Sequence, residues 1–207
     1  MAKQQVFYIH GGDAFSDYDK FLQYLNAIPI RNLPGAVQLK NWSSTLTEDL
    51  GEEYEVFTPQ MPNKLNSKYE EWKVWFERHF EFLHDDVILI GWSLGGYFLA
   101  KYLVENDTPF TIKALFLMAP LFENIENDPG GEDGGDFSFD IRQVEELAKK
   151  AGKIYLFCSK DDHVVPYEHS LKFKEALPEA ELVVFEDKNH FLVEELPELV
   201  DLIKALK

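Results

Sequence analysis

The sequence V-I-L-I-G-W-S-L-G-G occupies residues 87–96 and leads into Tyr97-Phe98-Leu99-Ala100. The apolar run predicts a buried strand, and the residues that follow continue as a helical pattern. Because glycine has no Cβ, Gly91 and Gly95 permit a sharp, strained turn between the two. A G-x-S-x-G motif alone also fits an ordinary Gly-Ser turn. The strand before it and the helix after it favour a turn that lifts the Ser93 hydroxyl above the end of a sheet as a nucleophile.

Short apolar runs recur along the chain between helical patterns. Their length and their β-branched or aromatic content are typical of buried strands. Strands that alternate with helices predict βαβ units and a parallel sheet, an α/β fold in which ligands bind beyond the carboxyl ends of the strands. The runs occupy residues 6–9, 55–57, 87–90, 112–118, 154–157 and 182–185.

Two stretches interrupt this alternation. Residues 27–40 contain two prolines and a glycine, and residues 123–140 contain four glycines and a proline without any basic side chain. Both compositions predict irregular excursions, which are possible lid elements, rather than a domain boundary. We therefore expect one domain over residues 1–207, a length that suffices for a substantial core.

Composition limits the partners and the compartment. The chain has 37 acidic and 20 basic side chains, a formal net charge of -17, which disfavours binding to nucleic acid or anionic membranes. A single cysteine, Cys158, excludes an internal disulfide framework and weakly favours a reducing compartment. No apolar run has the length of a membrane span or signal peptide, so we expect a cytoplasmic protein without integral membrane association.

A serine nucleophile needs a general base and an acid that orients the base. The fifth apolar run is followed by C-S-K-D-D-H-V-V-P at residues 158–166, and the sixth by E-D-K-N-H-F at residues 186–191. The chain order is therefore serine, acid, histidine. Asp161 and Asp162 are both candidate acids at this point, and His163 competes with His190 as the base.

These motifs resemble the α/β-hydrolase superfamily over the whole chain. Members often carry the acid in a D-x-x-V-P turn, which residues 162–166 match, and His190 lies at the position of the superfamily's histidine. The chain looks most similar to the small serine hydrolases of the retinoblastoma-binding-protein and YdeN-like group. The resemblance implies a catalytic triad of Ser93, Asp162 and His190. It also implies a three-layer fold of about six mainly parallel strands, with helices on both faces and no large cap domain.

The resemblance extends to an oxyanion hole and a pocket. His10-Gly11-Gly12 matches the superfamily's H-G-x sequence, which implies that the backbone N–H groups of Gly12 and Leu94 bind the oxyanion. His10 either borders the pocket or, as we prefer, packs beneath this loop. Trp92 stands where many members have histidine, which leaves the triad intact. The possible pocket residues are His10, Trp92, Phe137, Phe139, His163 and Val164.

The residues together predict a serine hydrolase, most simply a carboxylesterase. A neutral small-molecule ester or another acyl compound would be the substrate, and the reaction needs no cofactor. The alternative is a protein-binding module with an idle triad. Asp161, Asp162 and His163 lack a further metal-ligating group at fitting spacing, so we expect no metal. Cys158 is expected to be a buried apolar residue, and His169 a solvated one on a helix.

Overall fold

A computed structural model of the chain describes residues 2–30, 40–123 and 134–206. Six strands in these residues form one sheet in the order β2-β1-β3-β4-β5-β6, and every neighbouring pair runs parallel. The α/β fold with a parallel sheet is therefore confirmed. The strands are β1 (Gln4–Ile9), β2 (Tyr54–Phe57), β3 (Val87–Trp92), β4 (Ile112–Met118), β5 (Ala151–Ser159) and β6 (Glu181–Phe185).

Helices cover both faces of the sheet. One face packs against α3, α4 and α6, and the other packs against α2 and α7. This gives the three layers that the superfamily resemblance implies. The helices are α1 (Tyr18–Ala27), α2 (Trp42–Leu50), α3 (Tyr69–Glu77), α4 (Leu94–Glu105), α5 (Leu147–Lys150), α6 (Glu168–Ala176) and α7 (Pro197–Lys204).

The central strand β3 explains why the apolar runs are continuous rather than alternating. Leu89 packs into the core on one face, and Ile88 and Ile90 pack into the core on the other. A strand that is buried on both faces needs an apolar residue at every position. Since β3 lies between β1 and β4, its carboxyl end opens at the middle of the sheet edge.

Each predicted strand falls within an observed one, and β5 shows the largest difference in length. It begins at Ala151, three residues before the predicted run, because Ala151 and Lys153 pair with β4 although they are not fully buried. Hydrophobicity marks only the part of a strand that enters the core.

The two predicted excursions lie partly outside the described residues. The first begins where α1 ends at Ala27, but residues 31–39 are not described. Of the second, the structure describes Glu123 and then residues 134–140, which include a 3-10 turn at Gly135–Phe137. Within the described ranges, no helix has the length and apolar character that crossing a bilayer requires.

Candidate active site

Ser93 lies at the turn between β3 and α4 in an unusual backbone conformation. Its φ is 55° and its ψ is -122°, values that a non-glycine residue rarely adopts and that cost about 1–3 kcal/mol. The Ser93 N–H donates to the carbonyl of Met118 at 2.8 Å, and Tyr97 N–H donates to the carbonyl of Ser93 at 3.1 Å. These bonds hold the turn between its strand and its helix, with the Ser93 side chain almost buried.

The two glycines of the motif are required by close backbone contacts. A Cβ on Gly91 would lie 2.5 Å from the carbonyl oxygen of Gly95, and a Cβ on Gly95 would lie 2.4 Å from that of Ile9. Both distances are too short for any side chain. The turn therefore packs against the end of β1, where a Cβ on Gly11 would come within 3.1 Å of Ser93 Cβ. The H-G-G segment thus lies beside Ser93.

The predicted oxyanion donors occupy this junction. Leu94 is the first residue of α4, and the N–H groups of a first helical turn have no acceptor within the helix. Gly12 lies against the loop before α3, because a Cβ there would be 2.9 Å from the carbonyl oxygen of Lys64. Asp13 N–H donates to the same carbonyl at 2.9 Å, which holds the segment in place.

His10 supports this segment from inside the protein. Met61 N–H donates to His10 Nε2 at 2.9 Å, so Nε2 is unprotonated and Nδ1–H donates to the carbonyl of Gly11 at 2.6 Å. Its ring also contacts Trp72. Burial lowers the pKa of His10, opposed by the bond to Gly11. His10 is therefore buried and hydrogen-bonded at both ring nitrogens.

Asp162 and His190 form a buried hydrogen-bonded pair. His190 Nδ1 lies 2.8 Å from Asp162 Oδ2, and both side chains are at least 93% buried. The other carboxylate oxygen, Oδ1, accepts from Val164 N–H at 2.8 Å and from Val165 N–H at 2.9 Å. The D-x-x-V-P turn therefore fixes one oxygen of the acid with backbone donors and leaves the second for the imidazole.

Asp161 faces a different part of the same region. Its Oδ1 accepts from the hydroxyl of Ser159 at 2.5 Å and from Asn189 N–H at 2.8 Å. Ser159 is fully buried, and its hydroxyl oxygen accepts from Lys188 N–H at 2.9 Å. Asp161 therefore holds the backbone that precedes His190. The bond from Ser159 lowers the pKa of Asp161.

Two tryptophans hold the backbone at and after His190. The indole N–H of Trp92 donates to the carbonyl of His190, and that of Trp42 donates to the carbonyl of Phe191, each at 3.0 Å. Asn189 and Phe191 both have positive φ, 51° and 55°. We call residues 188–191 the histidine loop; it is strained on both sides of His190 and is bonded along its length.

The remaining predicted pocket residues separate into core and surface. Phe137 is fully buried among Tyr69, Trp72 and Phe98, so it anchors its segment instead of lining an open pocket. Phe139 is partly buried against Tyr97. His163 and Val164 are exposed.

Lys101 binds the backbone on both sides of Phe137. This residue of α4 is buried, and its ammonium group donates to the carbonyls of Asp136 and Ser138 at 2.7 and 2.9 Å. It also lies 4.0 Å from the centre of the Tyr69 ring, a cation–π distance. Tyr69 N–H in turn donates to the Asp136 carboxylate at 3.0 Å. The end of the second excursion is therefore fixed to the helix that follows Ser93.

His169 and Cys158 are both buried. The expectation of a solvated His169 is wrong, because it is only 8% exposed and its Nδ1 accepts from Phe122 N–H at 2.9 Å. Cys158 is buried, and burial raises its pKa to about 11, which disfavours a thiolate nucleophile. Trp42 and Ser159 were not predicted as site residues, because neither occupies a position of the superfamily's catalytic motifs.

Comparison with known proteins identifies the family of the chain. A serine hydrolase family model matches residues 35–200, a range that contains Ser93, Asp162 and His190. YdeN of Bacillus subtilis (strain 168), whose name gives it as a hydrolase, is 25% identical over 149 residues, which cover 70% of this chain and 76% of YdeN. The resemblance to the YdeN-like group is therefore confirmed.

Solved structures show the same fold. The crystal structure of the Bacillus subtilis ydeN gene product has a TM-score of 0.68 and 19% identity, covering 99% of this chain and 98% of that one. A monoacylglycerol lipase from Paleococcus ferrophilus has a TM-score of 0.62 and 14% identity, with 100% and 97% covered. Since the family model matches most of its length, the chain belongs to the serine hydrolase family.

Proposed function

We propose that the chain hydrolyses a carboxylic ester of a small molecule through Ser93, His190 and Asp162. The observation that carries the proposal is the buried pair of His190 Nδ1 and Asp162 Oδ2, 2.8 Å apart, in a fold that presents Ser93 at a strained turn. This pair leaves Nε2 of His190 as the nitrogen that can exchange a proton with the serine. Family membership supports hydrolysis as the reaction class.

The steps follow from these assignments. His190 Nε2 takes the hydroxyl proton as Ser93 Oγ attacks the ester carbonyl, and the backbone N–H groups of Gly12 and Leu94 bind the oxyanion. The proton then passes to the leaving alcohol, which departs and leaves an acyl group on Ser93. Water attacks this acyl group with the help of the same histidine, which releases the acid and restores Ser93. Asp162 orients His190 and stabilises its cation throughout.

Neutral acyl esters are the substrates we propose. The formal net charge of -17 produces a potential that repels anionic compounds. Hydrogen bonds from Lys172 and Arg142 lower the pKa values of Glu123 and Asp140, respectively, so both carboxylates stay ionised. The positive charges of the same two side chains partly offset the negative charges of these carboxylates. Repulsion of anionic substrates should therefore depend on the net charge of the whole chain more than on these two carboxylates. Neutral esters should react faster than matched carboxylate-bearing esters, and added salt should narrow the difference.

A fluorophosphonate probe tests the central proposal. The wild-type protein should be labelled and should hydrolyse model esters, and Ser93→Ala should abolish both while the fold remains. Cys158→Ala is the matched control, because its buried thiol has no role in the proposed reaction. A folded wild-type protein that is neither labelled nor active on an acyl-chain-length series would favour the alternative, a binding module with an idle triad.

We also propose that the enzyme acts in the cytoplasm. A single cysteine in 207 residues requires no oxidising compartment for folding. Cell fractionation with a compartment marker tests this assignment, and recovery in an extracellular or membrane fraction would contradict it.

A further inference from the structure

Trp92 connects the proposed nucleophile with the proposed base. It is the last residue of β3 and directly precedes Ser93. Its indole N–H donates to the carbonyl of His190 at 3.0 Å, and its ring centre lies 5.5 Å from that of the imidazole at an interplanar angle of 41°. The residue next to Ser93 therefore contacts both the backbone and the ring of His190.

The Trp92 backbone has little freedom to move independently of Ser93. Trp92 pairs with Met118 on β4, and the adjacent Ser93 N–H donates to the Met118 carbonyl at 2.8 Å. Gly11 of the oxyanion segment lies beside the Trp92 ring, since a Cβ there would be 3.5 Å from it. The backbone that carries the indole is therefore bonded together with the turn that carries Ser93.

The histidine loop depends on contacts of this kind. Residues with positive φ on either side of His190 persist only where surrounding contacts determine their conformation. Ser159 and Asp161 bond the loop before His190, and Trp42 bonds it after. Trp92 bonds the carbonyl of His190 itself, and it does so from the strand that leads into Ser93.

We propose that Trp92 is a positioning residue that sets the separation of Ser93 and His190 by holding the His190 carbonyl. This inference rests on the proposed function, because it assigns a purpose to that separation. Proton transfer requires hydrogen-bond reach, and a displacement of about 1 Å can cost about 100-fold in rate. The indole N–H bonds to the His190 carbonyl and not to substrate, so its loss should leave KM unchanged. The loss should lower kcat, because His190 would no longer be held within reach of Ser93.

Two replacements at residue 92 separate the N–H from the ring. Trp92→Phe keeps an aromatic ring beside His190, and benzothienylalanine at this position keeps the shape of indole while removing only the donor. Trp75→Phe is the matched control, since Trp75 lies on α3 outside the histidine loop and its indole N–H has no hydrogen-bond partner among the described residues. We expect both replacements at residue 92 to lower kcat about 10-fold or more with KM within about 2-fold, and Trp75→Phe to keep kcat within about 2-fold.

Proton NMR of the free protein provides a readout that does not depend on turnover. The low-field resonance of the proton shared by His190 and Asp162 should shift or broaden in the residue-92 variants and remain in Trp75→Phe. Unchanged kcat and an unchanged resonance in the residue-92 variants would overturn the inference, as would equal losses in Trp75→Phe. If the wild-type protein hydrolyses no ester but the resonance responds only at residue 92, the proposed function fails and the positioning role stands.

Discussion

Asp161 and Asp162 are neighbours in the chain, yet their carboxylates bind different parts of the histidine loop. Asp162 reaches the imidazole of His190, whereas Asp161 binds Asn189 N–H and the Ser159 hydroxyl. One acid therefore contacts the proposed base directly, and the other supports the backbone on which the base is carried. This division makes the two acids separable by experiment.

Asp162→Asn should lose far more activity than Asp161→Asn. The amide oxygen at residue 162 would keep the bonds from Val164 and Val165, which turns the NH₂ group towards His190 Nδ1 and favours the wrong tautomer. The same change in serine proteases costs about 10⁴ in kcat, and we expect a loss of that order. An amide oxygen at residue 161 can still accept from Asn189, so activity should fall by less than about 10-fold. Steady-state ester hydrolysis measures both, and a larger loss in Asp161→Asn would reverse the assignment.

Ser93→Gly should be more stable than Ser93→Ala, although both should be inactive. Glycine adopts a φ of 55° and a ψ of -122° without a Cβ clash, whereas alanine retains the strain of serine. We expect a difference of about 1 kcal/mol in the free energy of unfolding, because greater chain entropy of unfolded glycine offsets part of the relief. Urea unfolding measures it. Greater stability of the alanine variant would show that the turn is not strained in solution.

Lys101→Met should destabilise the protein. The substitution removes two charge-assisted hydrogen bonds from a buried ammonium group to backbone carbonyls and a cation–π contact with Tyr69, and we expect a loss of about 2–4 kcal/mol. Lys149→Met is the matched control, since Lys149 pairs with Glu146 on the surface and its loss should leave the urea midpoint almost unchanged. Equal urea midpoints for the two variants would show that the contacts of Lys101 do not stabilise the fold.

The protein should lose stability as the pH falls below about 6.5. Burial lowers the pKa of both His10 and His169 below this ordinary value. Between the ordinary and the lowered pKa, the unfolded chain binds protons that the folded chain does not, so the free energy of unfolding decreases as the pH falls. The contribution of the two neutral histidines to stability is complete above pH 6.5. It is lost as the pH falls to the lowered pKa values that they have in the folded protein.

His169→Asn tests how much of this loss of stability at low pH comes from His169. Its amide oxygen can replace Nδ1 as the acceptor for Phe122 N–H but does not titrate. The urea midpoint of this variant should therefore decrease less than that of the wild type between about pH 7.5 and about pH 5.5. Parallel decreases in the two proteins would remove His169 from the explanation.

The order of strands and helices was predictable because hydrophobicity reports burial directly. β3 is apolar at each of residues 87–90 since both of its faces are covered, and G-x-S-x-G follows from two backbone contacts that exclude any side chain. The proximity of Asp162 and His190 was also predictable, since both follow neighbouring strands at one edge of a parallel sheet. Local pattern and topology bring the two loops together, and the resemblance to the α/β-hydrolases selects Asp162 over Asp161 and His190 over His163.

The contacts that support the candidate site were not predictable, because they join residues that lie far apart in the sequence. Trp42 reaches Phe191 across 149 positions of sequence, and no local pattern encodes a bond between residues so far apart. His169 has the sequence surroundings of a surface residue, and its burial depends on where Phe122 lies. The role of Trp92 likewise depends on its distance from His190, which only the folded chain reveals.

The strain at Ser93 has an evolutionary consequence. Glycine would relieve backbone energy at this position, so selection for turnover and selection for stability favour different residues there. In a lineage released from the need for catalysis, a glycine substitution at this site would be favoured because it stabilises the fold. Glycine at the equivalent of residue 93 in a relative would therefore indicate loss of chemistry, even where the fold is intact.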